Sequence, residues 1–253
     1  MDDRIASKLV SLNSEFYQTF ASHFAATRMR LQPGVVKILA DLPMDADILD
    51  LGCGNGELAG TLAHRGHHRG RYLGFDFSPE LIDIAREKLE AYASYTFIDG
   101  DLAAQDWALP VREYADTELG KSSFDVIFAF ATLHHLPGHD LHKKTLCKIH
   151  TLLHQEGSFI HSNWQFLNSQ RLRERIQPWE MIGITSEDVD HGDYLLDWRH
   201  GGHGLRYVHH FDEGELGRLA VETGFTEIDS FFSDGEGGNL GLYQVWKKAI
   251  HAP

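Results

Sequence analysis

Residues 46–57 read ADILDLGCGNGE: a run of β-formers that stops abruptly in three glycines, Gly52, Gly54 and Gly56. Backbone that must turn sharply or let a ligand approach closely excludes side chains, and glycine meets both needs. Downstream, helical and strand periods alternate. GELAGTLAHR (56–65) reads as helix and RYLGFD (71–76) as strand. SPELIDIAREKLEAY (78–92) has Ser78 to cap it, Pro79 in its first turn and one apolar face through Leu81, Ile82, Ala85 and Leu89. Strands follow at 95–99, 124–131 and 158–164, with an irregular stretch to about 122 and a helix at 139–154 broken by Gly157. FDVIFAFA (124–131) is apolar on both faces, as a central parallel strand is.

This order predicts an α/β fold, Rossmann-like and doubly wound, on a mostly parallel seven-stranded sheet. The last two strands, 226–232 and 240–248, are joined only by the Gly-rich SDGEGGN, so they form a hairpin whose closing strand is antiparallel. The whole chain, 1–253, is read as a single domain. Helices occupy residues 1–44, the first with Ile5, Leu9, Leu12, Phe16, Phe20 and Phe24 at helical spacing. An irregular, acid-rich segment at 165–208 reads as an insertion on the substrate side.

A net charge of −14 argues against broad nucleic-acid binding and leaves room only for local basic patches. Two stretches qualify, HRGHHRGR (64–71) and QRLRER (170–175). Seventeen histidines show no HExxH or paired CxxC spacing, so no metal site is expected. No apolar run is long enough to cross a membrane. The first ten residues lack a secretion signal, and only Cys53 and Cys147 occur; a reducing cytoplasm is the expected compartment.

In an open parallel sheet the glycine turn after the first strand lies where ligands bind. NAD proteins carry GxGxxG there. This chain has GxGxG, with Glu57 where the last Rossmann glycine belongs. Asp50 precedes the turn, Asp76 ends the second strand 20 positions after Gly56, and Asp101 follows the third. A ribose acid and an adenine acid beside a glycine turn describe a nucleoside, and no P-loop is present to hold phosphates. A nucleoside with an amino-acid tail instead of phosphates is S-adenosylmethionine (SAM).

With DILDLGCGNG, YLGFDFSPELIDIAREKL, IDGDL and FDVIFAFATLHHL, residues 45–163 and the closing hairpin resemble the class I SAM-dependent methyltransferases. The resemblance implies that Asp50, Gly52, Gly54 and Gly56 line the methionine part, Asp76 and Phe77 the ribose, and Asp101 and Leu102 the adenine. By the same likeness Ala129 and Phe130 border the transferable methyl, and His134 and His135 face the substrate or pack at the sheet end. Cys53 is assigned no chemistry.

The flanks resemble the enzymes that methyl-esterify 5-carboxymethyluridine at the tRNA wobble position. Thr27, Arg28, Arg30 and Pro33 match on one side; Arg206, Tyr207, His209, Phe211 and Glu213–Leu216 match on the other. Met29, Gln32 and Val208 replace aromatic residues of that pattern. The likeness implies a tRNA acceptor and, as in eukaryotic members, a small activator protein as partner; a small-molecule methyl acceptor is the alternative enzyme reading. A non-catalytic SAM-binding protein is the non-enzymatic one. A carboxylate acceptor is ionised at neutral pH and needs a positioning cation rather than a base, for which Arg28 and Arg206 are the candidates. For a hydroxyl or amine acceptor the base candidates are His209 and His135.

Overall fold

The computed structural model describes residues 1–27, 30–65, 68–120, 123–199 and 201–249. Helices α1 (Asp3–Thr27) and α2 (Pro33–Ala40) precede β1 (Ile48–Leu51), α3 (Glu57–Arg65), β2 (Tyr72–Asp76), α4 (Pro79–Lys88) and β3 (Tyr95–Asp99). Next come α5 (Ala108–Tyr114), β4 (Phe124–Phe130), α6 (His139–Leu152) and β5 (Leu153–Trp164). Helix α4 begins as its sequence dictates: Ser78 accepts from the Leu81 N–H, Pro79 occupies the first turn, and Leu81, Ile82 and Ala85 are buried.

Residues 165–208 form more than an irregular insertion. Helix α7 (Gln170–Arg173) leads into a second, antiparallel sheet of β6 (Ile176–Gln177), β7 (Asp193–Trp198) and β8 (Gly204–His209). The β7–β8 connection contains Gly201 and Gly202, both at positive φ, which is the hairpin signal that this segment carries. Helix α8 (Glu213–Glu222), capped by Asp212, and the hairpin β9 (Phe225–Ser233)–β10 (Gly241–Lys248) complete the chain.

The main sheet runs β3-β2-β1-β4-β5-β10-β9, with β10 antiparallel to both β5 and β9. This is the expected seven-stranded, mostly parallel sheet. Strand β5 starts at Leu153, five residues earlier than the sequence period suggests, and runs through Gly157. Two apolar layers cover the sheet. One packs Leu49, Phe75, Ile127 and Phe159 against α5, α6 and α8 through Val111, Ile149 and Leu219. The other packs Ile48, Tyr72, Phe128 and Ile160 against α2, α3 and α4 through Leu39, Leu62 and Ile82.

Helix α1 belongs to the small sheet rather than to either layer. Leu9 packs with Leu195 and Tyr207, and Phe16, Tyr17 and Phe20 pack with Trp198. Strand order reverses between β1 and β4, so the crevice at their carboxyl ends is open to a ligand, and α1 with the small sheet overhangs it. Among the described residues no helix is long and apolar enough to cross a membrane, and no group of His, Cys, Asp and Glu is arranged to hold a metal ion.

Candidate active site

The three glycines of the turn have separate reasons. All sit at positive φ: Gly52 at 77°, Gly54 at 54° and Gly56 at 71°. A Cβ on Gly52 would lie 2.2 Å from Thr132 Oγ1, and one on Gly56 would lie 2.9 Å from the Ala85 Cβ of α4. These two positions are closed by the protein's own packing. A Cβ on Gly54 would meet nothing within 4 Å, so this is the position where the backbone is bare toward open space.

Carboxylates hold the turn from beneath. Asp76 Oδ2 accepts the Gly54 N–H at 2.8 Å and Oδ1 the Ser78 N–H at 3.0 Å. Burial raises the Asp76 carboxyl, and those backbone donors oppose the rise. Asp50 is buried as well and receives the Tyr72 hydroxyl on Oδ2. Burial lifts Asp50 to about 7; the Tyr72 hydrogen bond works against this and the neighbouring Asp76 adds to it. The Cys53 thiol is pushed well up by burial and stays protonated.

A cavity of about 560 Å³ extends from this turn to α1 and the small sheet. Its first half is lined by Asp50, Gly52, Gly54, Asp76, Phe77, Asp101 and Leu102. Gly56 packs on α4 behind it. Asp101 steadies its own turn by accepting the Ala103 N–H at 2.8 Å. Phe130 lines the cavity, but Ala129 does not: it is fully buried in the core between β4 and its helices. The wall passes from Phe130 to Ala131 and Thr132, because the chain leaves β4 there with Ala131 at a φ of 51°. Thr132 Oγ1 donates toward the Leu51 and Phe130 carbonyls at 3.0 Å, tying the ends of β1 and β4 together.

The second half is aromatic and holds one buried cation. Arg206 on β8 is 7% exposed and lines the cavity. Its guanidinium lies 4.8 Å from the Trp164 ring, 5.5 Å from Phe16 and 5.6 Å from Trp198. Its Nε has no hydrogen-bond partner, and among the described residues no carboxylate pairs with it. His135 also lines the cavity, with Nε2 2.6 Å from the Tyr17 hydroxyl of α1. His134 is buried at its side, where its Nδ1 accepts the Trp164 N–H at 3.4 Å.

Two of the proposed catalytic residues do not join this group. Arg28 lies outside the described residues. His209 faces away from the cavity: Nδ1 is 2.6 Å from Asp193 Oδ1, and Nε2 is 3.1 Å from both Glu215 oxygens. Burial alone would depress this imidazole; the two carboxylates outweigh burial and raise it to about 9. A protonated ring with both nitrogens bound to carboxylates is a structural cation, not a base. Of the basic loop at 64–71, Gly66 and His67 are outside the described residues, and Arg69 and Arg71 precede β2 at the sheet end opposite the cavity.

Sequence reasoning missed Tyr17, Trp164 and Trp198 as cavity residues. Tyr17 belongs to the same apolar face of α1 as Phe16 and Phe20 and carries a hydroxyl, which is the one signal that separates it from core. The site as built suits a nucleoside in its glycine-and-acid half and an anionic group in its arginine half.

A model described as a methyltransferase domain matches residues 48–157, from β1 into β5. The tRNA (carboxymethyluridine(34)-5-O)-methyltransferase ALKBH8 of Mus musculus is 29% identical over 152 residues, which are 59% of this chain and 19% of that protein. The tRNA (carboxymethyluridine(34)-5-O)-methyltransferase of Arabidopsis thaliana is 30% identical over 148 residues, 58% of this chain and 31% of that protein. The chain thus spans about a fifth to a third of the length of these curated relatives. Among solved structures, a SAM-dependent methyltransferase of Methanosarcina mazei superposes with a TM-score of 0.63 at 20% identity, covering 87% of this chain and 99% of that one. That likeness is one of fold.

Proposed function

We propose that this chain, whose residues 48–157 match a methyltransferase domain, uses SAM to methylate a carboxylate, and specifically that of 5-carboxymethyluridine in a tRNA anticodon. Arg206 carries this reading. A buried guanidinium without a carboxylate partner is unfavourable by several kcal/mol unless an anion meets it. The planar fork of arginine binds a carboxylate through two parallel N–H bonds, and the three rings around Arg206 fix its plane. A carboxylate is already ionised at neutral pH, so the chain needs no general base, in accord with His209 being consumed by Asp193 and Glu215.

SAM, when bound, supplies a methyl group on a sulfonium. The residues that fit it are the bare backbone at Gly54 and the buried acids Asp50 and Asp76. The protein's contribution is to hold the acceptor oxygen in line and dry: Arg206 orients it, and Tyr17, Trp164 and Trp198 exclude water. The choice of tRNA rests on the two relatives above and on Arg171 and Arg173, exposed on α7 just after the carboxyl end of β5.

The test is incubation of the protein with labelled SAM and tRNA, followed by nucleoside mass spectrometry. A methyl ester of carboxymethyluridine, released by mild alkali, is the expected product. Label that appears only in metabolites, with none in tRNA, would sink the tRNA acceptor and favour a small carboxylate instead.

A further inference from the structure

Tyr72 has no part in the glycine turn, yet it reaches the cofactor half of the cavity through Asp50. It opens β2, two residues before Gly74, which stands in register with Asp50 of β1. Its side chain is fully buried, and its ring stacks on Tyr95 of β3 with centroids 5.2 Å apart and planes 18° apart. The phenol is therefore held in one place. Burial pushes its ionisation well above the ordinary value, so it remains a donor, and the acceptor it reaches is Asp50 Oδ2.

The other oxygen of Asp50 is different. Among the described residues no donor reaches Oδ1, and Asp50 is a wall residue of the cavity. We propose that Tyr72 is a positioning residue for the cofactor: by occupying Oδ2 it leaves Oδ1 to face the cavity as the oxygen that meets the ligand's ammonium group.

A consequence follows for protons. Were Asp50 protonated on Oδ2, the buried phenol would lose its acceptor and stand unpaired, which is costly. Any proton that Asp50 takes up is thus directed to Oδ1, where it displaces the ammonium. Among the described residues, the groups around Asp50 supply no cation to prevent this. Beta strand β2 contributes Tyr72 and Asp76, the turn contributes the Cys53 thiol, Tyr95 stands behind Tyr72, and β4 presents Phe128 in register. With Asp50 near 7, cofactor binding and Asp50 ionisation are coupled close to neutrality. The inference rests on Asp50 facing the methionine part and is independent of the acceptor's identity.

Calorimetric titration of S-adenosylhomocysteine between pH 5.5 and 8.5 tests it without acceptor or turnover. The wild-type affinity is expected to fall about tenfold per pH unit below the Asp50 transition. In Tyr72→Phe the carboxylate loses its one side-chain donor, so the fall begins about one unit higher. Affinity at pH 7 is then about fivefold weaker and recovers toward pH 8.5. Asp50→Asn should bind weakly with a flat profile, and adding Tyr72→Phe to it should change nothing further. A uniform offset of the Tyr72→Phe curve at every pH would overturn the proposal, because it would mark a merely structural role. So would coincident wild-type and variant curves, or a pH profile that survives in Asp50→Asn.

Discussion

The two halves of the cavity are built on opposite principles. In the cofactor half Asp50, the glycine turn, Asp76, Phe77, Asp101 and Leu102 come from or directly follow neighbouring strand ends of one sheet, and the polar contacts there are backbone amides and buried carboxylates. In the acceptor half Tyr17 of α1, Trp164 at the end of β5 and Trp198 of β7 stand around the buried guanidinium of Arg206 on β8, and the exposed Arg30 also lines the cavity. The first half is a property of the fold and the second of what is laid over it. Damage to one half should therefore leave ligand affinity in the other nearly intact.

The sharpest break of that symmetry is Arg206→Ala. Removing one partner of a buried charge pair is expected to lower kcat/KM for a carboxylate acceptor by about 3 kcal/mol, or about 150-fold. Affinity for S-adenosylhomocysteine should stay within about twofold, and Arg206→Lys should recover only part of the loss because an ammonium lacks the planar fork. Steady-state kinetics beside calorimetry check this. An equal loss of cofactor affinity would mean that the halves are not separable.

Raising the pH strains the overlying half through His209 of β8. His209 sits between Asp193 and Glu215 and is raised from 6.5 to about 9, so its contribution is full below about 6.5 and lost as pH rises through 9. By linkage, that loss amounts to about 3 kcal/mol. On the acid side, His142 and His161 are lowered to about 3 by burial. The unfolded chain binds their protons first, so stability also falls as pH drops below 6.5. Urea unfolding across pH 5–10 should thus show a maximum near pH 6.5, and His209→Gln should flatten the alkaline limb alone.

On the cofactor side, Asp76→Ala should weaken S-adenosylhomocysteine by about 2 kcal/mol, or about 30-fold. Part of that loss is indirect, since the Gly54 and Ser78 amides lose their acceptor. Unchanged affinity would remove Asp76 from the ribose site.

This contrast also explains what the sequence disclosed. The glycine turn, Asp76 and Asp101 are legible because chain order and strand ends alone bring them together. Two expected wall residues there stand outside the cavity: Gly56 packs behind it on α4, and Ala129 misses by register, since the strand continues to Phe130 and only the backbone reversal at Ala131 marks where the wall begins. The acceptor half is assembled from segments nearly two hundred residues apart, which no local period records. One part of it was within reach. Once 204–209 is recognised as a strand, Arg206 and His209 stand three positions apart and must face opposite sides. Only one of them can line the cavity, and burial of the Trp164–Trp198 side selects Arg206.

The smallest expected effect probes the joint between the halves. Asn13 of α1 donates to the carbonyls of His135, at 3.0 Å, and Tyr207, at 3.1 Å, and accepts the Tyr207 N–H at 2.8 Å. A single buried amide thus fastens the overlying helix to β8 and to the 3-10 turn Leu133–His135 that leaves the main sheet. Asn13→Ala removes those bonds and leaves the Tyr207 amide unpaired, for an expected loss of about 1–2 kcal/mol in unfolding free energy. Because the tie acts on α1, KM for the acceptor should rise a few-fold, about 1 kcal/mol or less, while kcat and cofactor affinity hold. Asn13→Asp keeps the acceptor for Tyr207 N–H and loses both donors, so it should fall between wild type and Asn13→Ala. If either variant weakened cofactor binding as much as acceptor binding, α1 would have to be counted as part of the cofactor half.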